Sequence, residues 1–99
     1  MPNNMINSLW LVGSGPMAIE YSKVLDALKL NYKVIGRGED SARNFKGTTG
    51  HQVKIGGLNQ WLLSGEIDIP DSAIVAVGVE QLAETTINLL DNGFKNILV

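Results

Sequence analysis

A chain of 99 residues is long enough for one domain with a modest core, and its hydrophobic fraction of 44% is that of an ordinary globular protein. The net charge of −2 gives no overall attraction to nucleic acid or anionic membranes, and the absence of cysteine excludes disulfides and thiolate metal sites. The longest apolar runs are about five residues, far short of the ~20 that span a bilayer, and the polar, uncharged start is unlike a signal peptide, so we expect a cytoplasmic protein.

The first half of the chain predicts two strands and two helical segments. Residues 1–7 are expected to be a flexible lead-in, and the unbroken apolar run at 8–13 predicts a strand covered on both faces. A helix is predicted over 16–30, because apolar residues at helical spacing mark one buried face: Met17, Tyr21, Val24, Leu25 and Leu28. A strand over 32–36 follows. One or two helical turns are predicted at 41–45, with Asp40 or Ser41 as the N-cap and Phe45 as the core anchor, and then a loop at 47–50.

The second half continues the alternation of strands and helices. An alternating segment at 52–55 predicts an edge strand, and a short helix with an apolar face is predicted over 58–64, ended by Gly65. A second unbroken apolar run predicts a strand over 73–77. The last two elements predicted are a helix over 80–92 and a strand over 95–99. The inward residues of that helix should be Leu82, Ala83, Ile87 and Leu90, with Gly93 at its end.

Strands that alternate with helices predict an α/β fold with a parallel sheet of about five strands and right-handed crossovers. The two unbroken apolar strands, at 8–13 and 73–77, should lie side by side at the centre. The strand order 3-2-1-4-5 meets this requirement and gives a three-layer, Rossmann-type arrangement. It also makes the gap between strands one and four the topological switch point, where ligands bind outside the carboxyl ends of the strands.

The turn after the first strand has the spacing G-x-G-x-x-A, and it lies between a predicted strand and a predicted helix. Gly13 permits the tight turn, Gly15 leaves the backbone bare for a pyrophosphate, and Ala18 lets the helix pack closely on the strand. Pro16 suits the first helical turn, whose free N–H groups and positive dipole end point at an anion. The pattern predicts a dinucleotide site, and a strand–helix turn that binds nothing is the alternative. The residues expected to line the site here are Gly13, Ser14, Gly15, Pro16 and Met17, with Val77 and Gly78 from the end of the fourth strand.

The end of the second strand bears on the choice between NAD and NADP. An acidic residue roughly 20 positions beyond the glycine turn binds the ribose 2′-hydroxyl in NAD-binding domains, and that position falls at Gly36, followed by Arg37. A guanidinium can pair with a 2′-phosphate bidentately or stack on adenine, and Ser41 and Arg43 could join it. This pattern favours NADP over NAD, although Glu39 and Asp40 add negative charge nearby. A solvated loop arginine beside a turn glycine is the alternative.

Over residues 8–99 the chain resembles the N-terminal dinucleotide-binding domain of the glucose–fructose oxidoreductase and inositol dehydrogenase family. The resemblance rests on the glycine turn LVGSGPMA, the strand SAIVAV and the segment LLDNG before NILV. In that family the fourth strand commonly ends in Thr-Pro-Asn with a histidine three residues further on, but this chain has Val77, Gly78, Val79 and Leu82 there. The family also has Glu-Lys-Pro directly after the fifth strand, with the lysine near the reacting carbon. The resemblance therefore implies a fragment of a longer enzyme, without its substrate-binding domain. Short glycine turns also occur in other NADP-dependent families such as ketopantoate reductases.

Other residues that could carry chemistry have simpler interpretations. His51 is expected to be a solvated or capping residue, and we assign no residue a catalytic role. Asp68 and Asp71 flank a proline, so turn chemistry explains them better than a metal site, and none is expected. Trp10 and Trp61 lie inside apolar patterns and should belong to the core.

The sequence therefore predicts the NAD(P)-binding domain of an oxidoreductase. The family resemblance alone implies that its substrate is a sugar, sugar nucleotide or similar hydroxy or keto compound. A stand-alone nucleotide-binding or sensor module without catalysis is the alternative. The chain alone should be inactive, and we expect its partners to be the dinucleotide and a C-terminal substrate domain, without nucleic acid or membrane. An uncovered sheet edge or face could also support a homo-oligomer.

Overall fold

In a computed structural model of the chain, the structure describes residues 8–65 and 69–99. The predicted lead-in at 1–7 and the predicted turn residue Asp68 lie outside the described residues. Five strands and four helices alternate in the order β1 (Ser8–Val12), α1 (Pro16–Ala27), β2 (Asn31–Ile35), α2 (Glu39–Thr49), β3 (Val53–Lys54), α3 (Leu58–Ser64), β4 (Ser72–Val75), α4 (Val79–Asp91) and β5 (Asn96–Leu98).

The strands form one parallel sheet in the order β3-β2-β1-β4-β5, which confirms the predicted topology. Neighbouring residues of β1 point to opposite faces, so both faces of the central strand are buried, as its unbroken apolar run predicts. On one face Leu11 packs with α1 and α2, and on the other Trp10 and Val12 pack with α3 and α4. Trp10 is fully buried, with its ring centroid 5.4 Å from that of Phe94.

The buried faces of two helices differ from the prediction. In α1 the buried residues are Ala18, Ile19, Ser22 and Leu25, whereas Met17, Val24 and Leu28 are more than half exposed. The small Ala18 and Ser22 side chains let the helix approach the sheet closely, so the helix turns them inward and leaves bulkier side chains outside. In α4 the buried residues are Thr85 and Leu89, with Leu82 half-buried, and the predicted inward residues Ala83, Ile87 and Leu90 are exposed.

The boundaries of α1 and α2 also differ from the prediction. The α1 helix ends at Ala27 rather than near residue 30, because Lys29 adopts a left-handed backbone conformation with φ 61°. The α2 helix has 11 residues and includes most of the predicted loop at 47–50. It ends at Thr49, and Gly50 is its C-cap with φ 83°. Its N-cap is Gly38, not Asp40 or Ser41. Phe45 is fully buried as predicted, and burial of Phe45 and Ala42 holds the longer helix against the sheet despite its weak helix formers.

Candidate functional site

A cavity of about 600 Å³ lies at the carboxyl ends of β1, β2 and β4, where the order of the sheet reverses direction. Its volume is within the range of small-molecule sites. Ten of the eleven residues singled out in the sequence line it: Gly13, Ser14, Gly15, Pro16, Met17, Gly36, Arg37, Ser41, Val77 and Gly78. The glycine turn and the end of β2 therefore face one common space.

Arg43 is the site residue that the structure does not bring to the cavity. It faces a shallow depression beside α2, and its Nη1 atom lies 3.3 Å from the Oδ1 atom of Asp40. Both side chains of this pair are largely exposed, so the pair adds little stability. Arg43 instead places a positive charge beside Asp40, one of the two acids that follow β2.

The structure explains the two glycines of the first turn, Gly13 and Gly15, in different ways. Gly13 has φ 125°, and a Cβ atom there would collide with the backbone carbonyl of Ala76, so the fold itself requires glycine. Gly15 has an ordinary φ of −90°, and a Cβ atom there would meet no atom within 4 Å. Packing and backbone conformation thus leave the bare backbone of Gly15 unexplained, and it faces the open cavity.

Four helices begin at this cavity without a side-chain cap: the short α3, with Gly57 as its N-cap, and three longer helices. The N-cap residues of α1, α2 and α4 are Gly15, Gly38 and Gly78, and all three line the cavity. The first N–H groups of a helix have no partner within the helix, and they carry the positive end of its dipole. The three longer helices therefore direct positive partial charge and open hydrogen-bond donors at one space, as anion-binding sites do.

Eight further residues complete the wall, and the sequence analysis did not single them out: Val12, Ile35, Gly38, Gly57, Leu58, Ala76, Gln81 and Thr85. Among these residues, only Gly38 and Gly57 could have been suspected from the sequence around them, because glycine commonly marks a turn. Gln81 and Thr85 belong to α4, and the predicted inward face of that helix did not include them. The fold brings them to the glycine turn through the pairing of β1 with β4.

Several polar side chains of the cavity have no partner within the protein. Ser14 and Thr85 are only 7% and 8% exposed, and neither side chain makes a hydrogen bond to residues 8–65 or 69–99. In those ranges no fully buried polar side-chain atom lacks a partner, so both hydroxyl groups must open into the cavity. The Ser41 and Gln81 side chains are likewise unpaired with the described residues.

The end of β2 has a packing constraint of its own. A Cβ atom on Gly36 would lie 2.6 Å from the Ser14 Oγ atom and 2.9 Å from the Val53 Cγ1 atom. Glycine is therefore needed here for packing, whatever the cavity binds. The next residue, Arg37, is exposed at the cavity wall and forms no ion pair with the described part of the chain.

Ionisable groups are scarce around this space. Among the described residues that line it, Arg37 is the one with an ionisable side chain. The wall at the end of β4 offers the backbone of Val77 and Gly78, while the nearby Glu80 is exposed in the first turn of α4. The lining can bind an anion and orient it, but its described part holds no side chain suited to proton transfer near neutral pH.

A polar cluster lies at the opposite, amino end of the sheet, and it corrects the interpretation of His51. The His51 Nε2 atom lies 2.9 Å and 3.1 Å from the two carboxylate oxygens of Asp26, and its ring centroid is 4.8 Å from that of Tyr32. The Tyr32 hydroxyl donates to Asp26 at 2.9 Å and accepts from Ser22 at 2.6 Å. His51 therefore connects α1 to the segment before β3 through its contact with Asp26. Because Ser22 is fully buried, the cluster offers no accessible nucleophile.

The cluster changes the acidity of Tyr32. Burial raises the pKa of Tyr32 from 10.0 to about 12, the Asp26 carboxylate acts in the same direction, and the hydrogen bond from Ser22 opposes them. The neutral phenol is thus the form that the folded chain stabilises.

Within residues 8–65 and 69–99, no helix has the length and hydropathy needed to cross a membrane. Comparisons of the chain with protein-family models, with curated proteins and with solved structures found no match.

Proposed function

We propose that the cavity binds a nicotinamide dinucleotide, with NADP(H) preferred to NAD(H). The observation that carries this proposal is the convergence of three uncapped helix N-termini on one cavity at the topological switch point of a parallel sheet. A dinucleotide is a long ligand with several anionic groups, and the proposal is supported by the helix N-termini from three different elements that line the cavity.

The parts of the cofactor match different parts of the wall. We assign the pyrophosphate to the start of α1, because Gly15 leaves the backbone bare there and no atom lies within 4 Å of the position of a Cβ atom. The 2′-phosphate fits beside Arg37 and Ser41, where no acidic side chain lines the cavity among the described residues. The nicotinamide end extends toward Val77 and Gly78, whose backbone groups can hold a carboxamide.

The wider assignment to an oxidoreductase rests on the resemblance to the glucose–fructose oxidoreductase and inositol dehydrogenase family. Hydride transfer is the chemistry of the nicotinamide itself, and a binding domain supplies position and electrostatics. The substrate class, a sugar, sugar nucleotide or similar hydroxy or keto compound, depends on this resemblance alone. Val77, Gly78 and Leu82 depart from the family pattern, and the first two line the cavity at the end proposed for the nicotinamide.

A nucleotide-binding module without catalysis is the second candidate. It is favoured by the scarcity of ionisable side chains, since Arg37 is the one such residue among the described lining. The two candidates share the cofactor site and differ in whether bound cofactor exchanges hydride with a substrate. A search for hydride transfer in the presence of a substrate domain would separate them.

Calorimetry with Gly15→Val tests the binding site. A Cβ atom at Gly15 meets nothing in the free protein, so the variant should fold, but its side chain would occupy the position proposed for the pyrophosphate. We expect affinity for NADPH and NADH to fall by at least about tenfold. Gly47→Val is the matched control, because Gly47 is exposed in α2, away from the cavity, with open space around it. Equal affinities in Gly15→Val and wild type, or no binding by wild type, would rule out the site.

A further inference from the structure

The space beyond the end of β2 is occupied by a side chain from the first turn. The hypothetical Cβ of Gly36 would be 2.6 Å from Ser14 Oγ, so that oxygen stands where an acidic side chain on β2 would begin. In NAD-binding domains, an acid at this end of β2 accepts a hydrogen bond from the ribose 2′-hydroxyl. Here the acceptor is replaced by a hydroxyl group that can donate.

The Ser14 hydroxyl lies at the cavity wall and is available to bind a ligand. The residue is 7% exposed, and its side chain has no hydrogen-bond partner among residues 8–65 and 69–99. Its polar atom is open to the cavity rather than sealed in the core. Because no described protein group occupies this donor, it is available to an acceptor on a ligand.

The charge around this hydroxyl favours an anionic acceptor. Arg37 follows Gly36 directly and lines the same cavity, and no carboxylate lines it within the described residues. A phosphate accepts hydrogen bonds and carries negative charge, whereas a ribose hydroxyl carries none. A donor beside a guanidinium therefore discriminates in favour of the phosphate.

We infer that Ser14 is a specificity-determining residue, whose hydroxyl donates to the 2′-phosphate of NADP(H). The inference rests on the proposed function and deepens it, because it assigns the preference for NADP to a residue of the glycine turn as well as to Arg37. Ser14 thereby has two effects: it keeps a β2 side chain out, and it supplies the hydrogen bond that selects the phosphate.

A pair of adenosine ligands that differ only at the 2′ position tests this role. Adenosine 2′,5′-bisphosphate and adenosine 5′-monophosphate would be titrated by calorimetry into wild type, Ser14→Ala and the matched control Ser72→Ala. Ser14→Ala removes no hydrogen bond within the described protein, and Ser72 lies at the amino end of β4, away from the cavity. We expect Ser14→Ala to weaken the bisphosphate by about tenfold or more and the monophosphate by less than about twofold. Ser72→Ala should change neither.

Phosphorus NMR of bound NADP⁺ provides a second readout. In Ser14→Ala the 2′-phosphate resonance should move relative to wild type, while the pyrophosphate resonances stay in place. Equal losses for both adenosine ligands would mean that Ser14 contacts their shared part, and this would overturn the inference. Unchanged affinities in Ser14→Ala would also overturn it and leave the proposed function standing. If wild type binds neither these ligands nor NADPH, the proposed function and the inference fail together.

Discussion

Gly36 and Gly15 line the same cavity and tolerate substitution very differently. A Cβ atom on Gly36 would approach both Ser14 and Val53 to under 3 Å, whereas one on Gly15 would meet nothing within 4 Å. The glycine that the sequence analysis related to cofactor choice is thus required by packing. The glycine related to the pyrophosphate has room for a side chain, so packing does not require it, although glycine is also a favoured residue at the N-cap of a helix.

The Gly36 contact predicts a measurable coupling between two residues. Gly36→Ala should lower the free energy of unfolding by about 1–3 kcal/mol, because the added methyl group overpacks against Ser14 Oγ and Val53 Cγ1. In a Ser14→Gly background the same change should cost less, since one of the two close neighbours is gone. Urea denaturation of the wild type, both single variants and the double variant gives the coupling energy. Strictly additive effects would contradict the contact.

Arg37 gives the most direct test of cofactor choice. Because its guanidinium is unpaired with the described residues and lines the cavity, Arg37→Ala should weaken NADPH binding by roughly tenfold to hundredfold. NADH binding should change little, since that cofactor lacks the 2′-phosphate. Titration of both cofactors into wild type and Arg37→Ala by fluorescence checks this. A similar loss for both would indicate stacking of Arg37 on adenine.

Site residues were predictable where the signal was local. Ser14, Gly15 and Arg37 lie within or directly after a recognisable turn or strand end, so their neighbours along the chain identify them. Thr85 gave no such signal, because it reaches the cavity only through the way α4 packs on the sheet. The contact between His51 and Asp26 joins residues far apart in sequence, and no periodicity could reveal it.

At the scale of elements, the order of strands and helices followed from hydropathy, but the rotation of helices did not. Periodicity identifies an apolar face. When a helix also carries small residues such as alanine and serine, periodicity does not show which face will pack on the sheet. In α1 the small Ala18 and Ser22 face inward, while Met17 and Val24 remain outside. The hydroxyl of Ser22 is satisfied there by Tyr32, a partner from the next strand that the helix alone does not suggest.

Tyr32 predicts how stability depends on pH. Its pKa is 10.0 in the unfolded chain and about 12 in the folded one, so folding favours the protonated phenol. The stabilisation that this shift supplies is present in full below pH 10 and is lost as the pH rises to 12. Urea denaturation across this window should show a decline for wild type that is weaker in Tyr32→Phe. A decline of equal steepness in both would contradict the assignment. At neutral pH the variant should be less stable by about 1 kcal/mol, because its hydrogen bonds are lost.

For the whole molecule, two unbroken apolar runs predicted which two strands lie at the centre, and the strand–helix alternation with the alternating third strand supported the rest of the order. A strand buried on both faces must lie inside a parallel sheet, and β1 and β4 are neighbours at its centre. The alternating β3 lies at an edge, as predicted. Among the described residues, the other edge strand, β5, pairs with β4 alone and presents the exposed Leu98. Association of copies through that edge stays a prediction.

The composition of the cavity also predicts a result for the whole chain. Hydride transfer to or from a hydroxy compound needs a proton donor or acceptor near the substrate oxygen, and the described lining holds only Arg37 as an ionisable residue. We therefore expect no turnover by this chain alone. An assay with NADPH, sugars and keto-sugars, with Gly15→Val as the background control, checks this. Steady turnover above that background would make Glu80 the first residue to test.

The two polar regions of the molecule lie at opposite ends of the same strand. Tyr32 is near the start of β2, and Gly36 follows its last residue, so four residue steps of extended chain, about 13 Å, separate them. Substitutions this far apart, with no shared partner, have nearly additive effects on stability. Cavity residues can therefore be changed at one end of β2 while stability is restored at the other. Stabilising substitutions around Asp26 and His51 would offset the stability lost through altered cavity residues, and they would not contact the ligand. Such separation makes the fold a tolerant scaffold for changing what the cavity recognises.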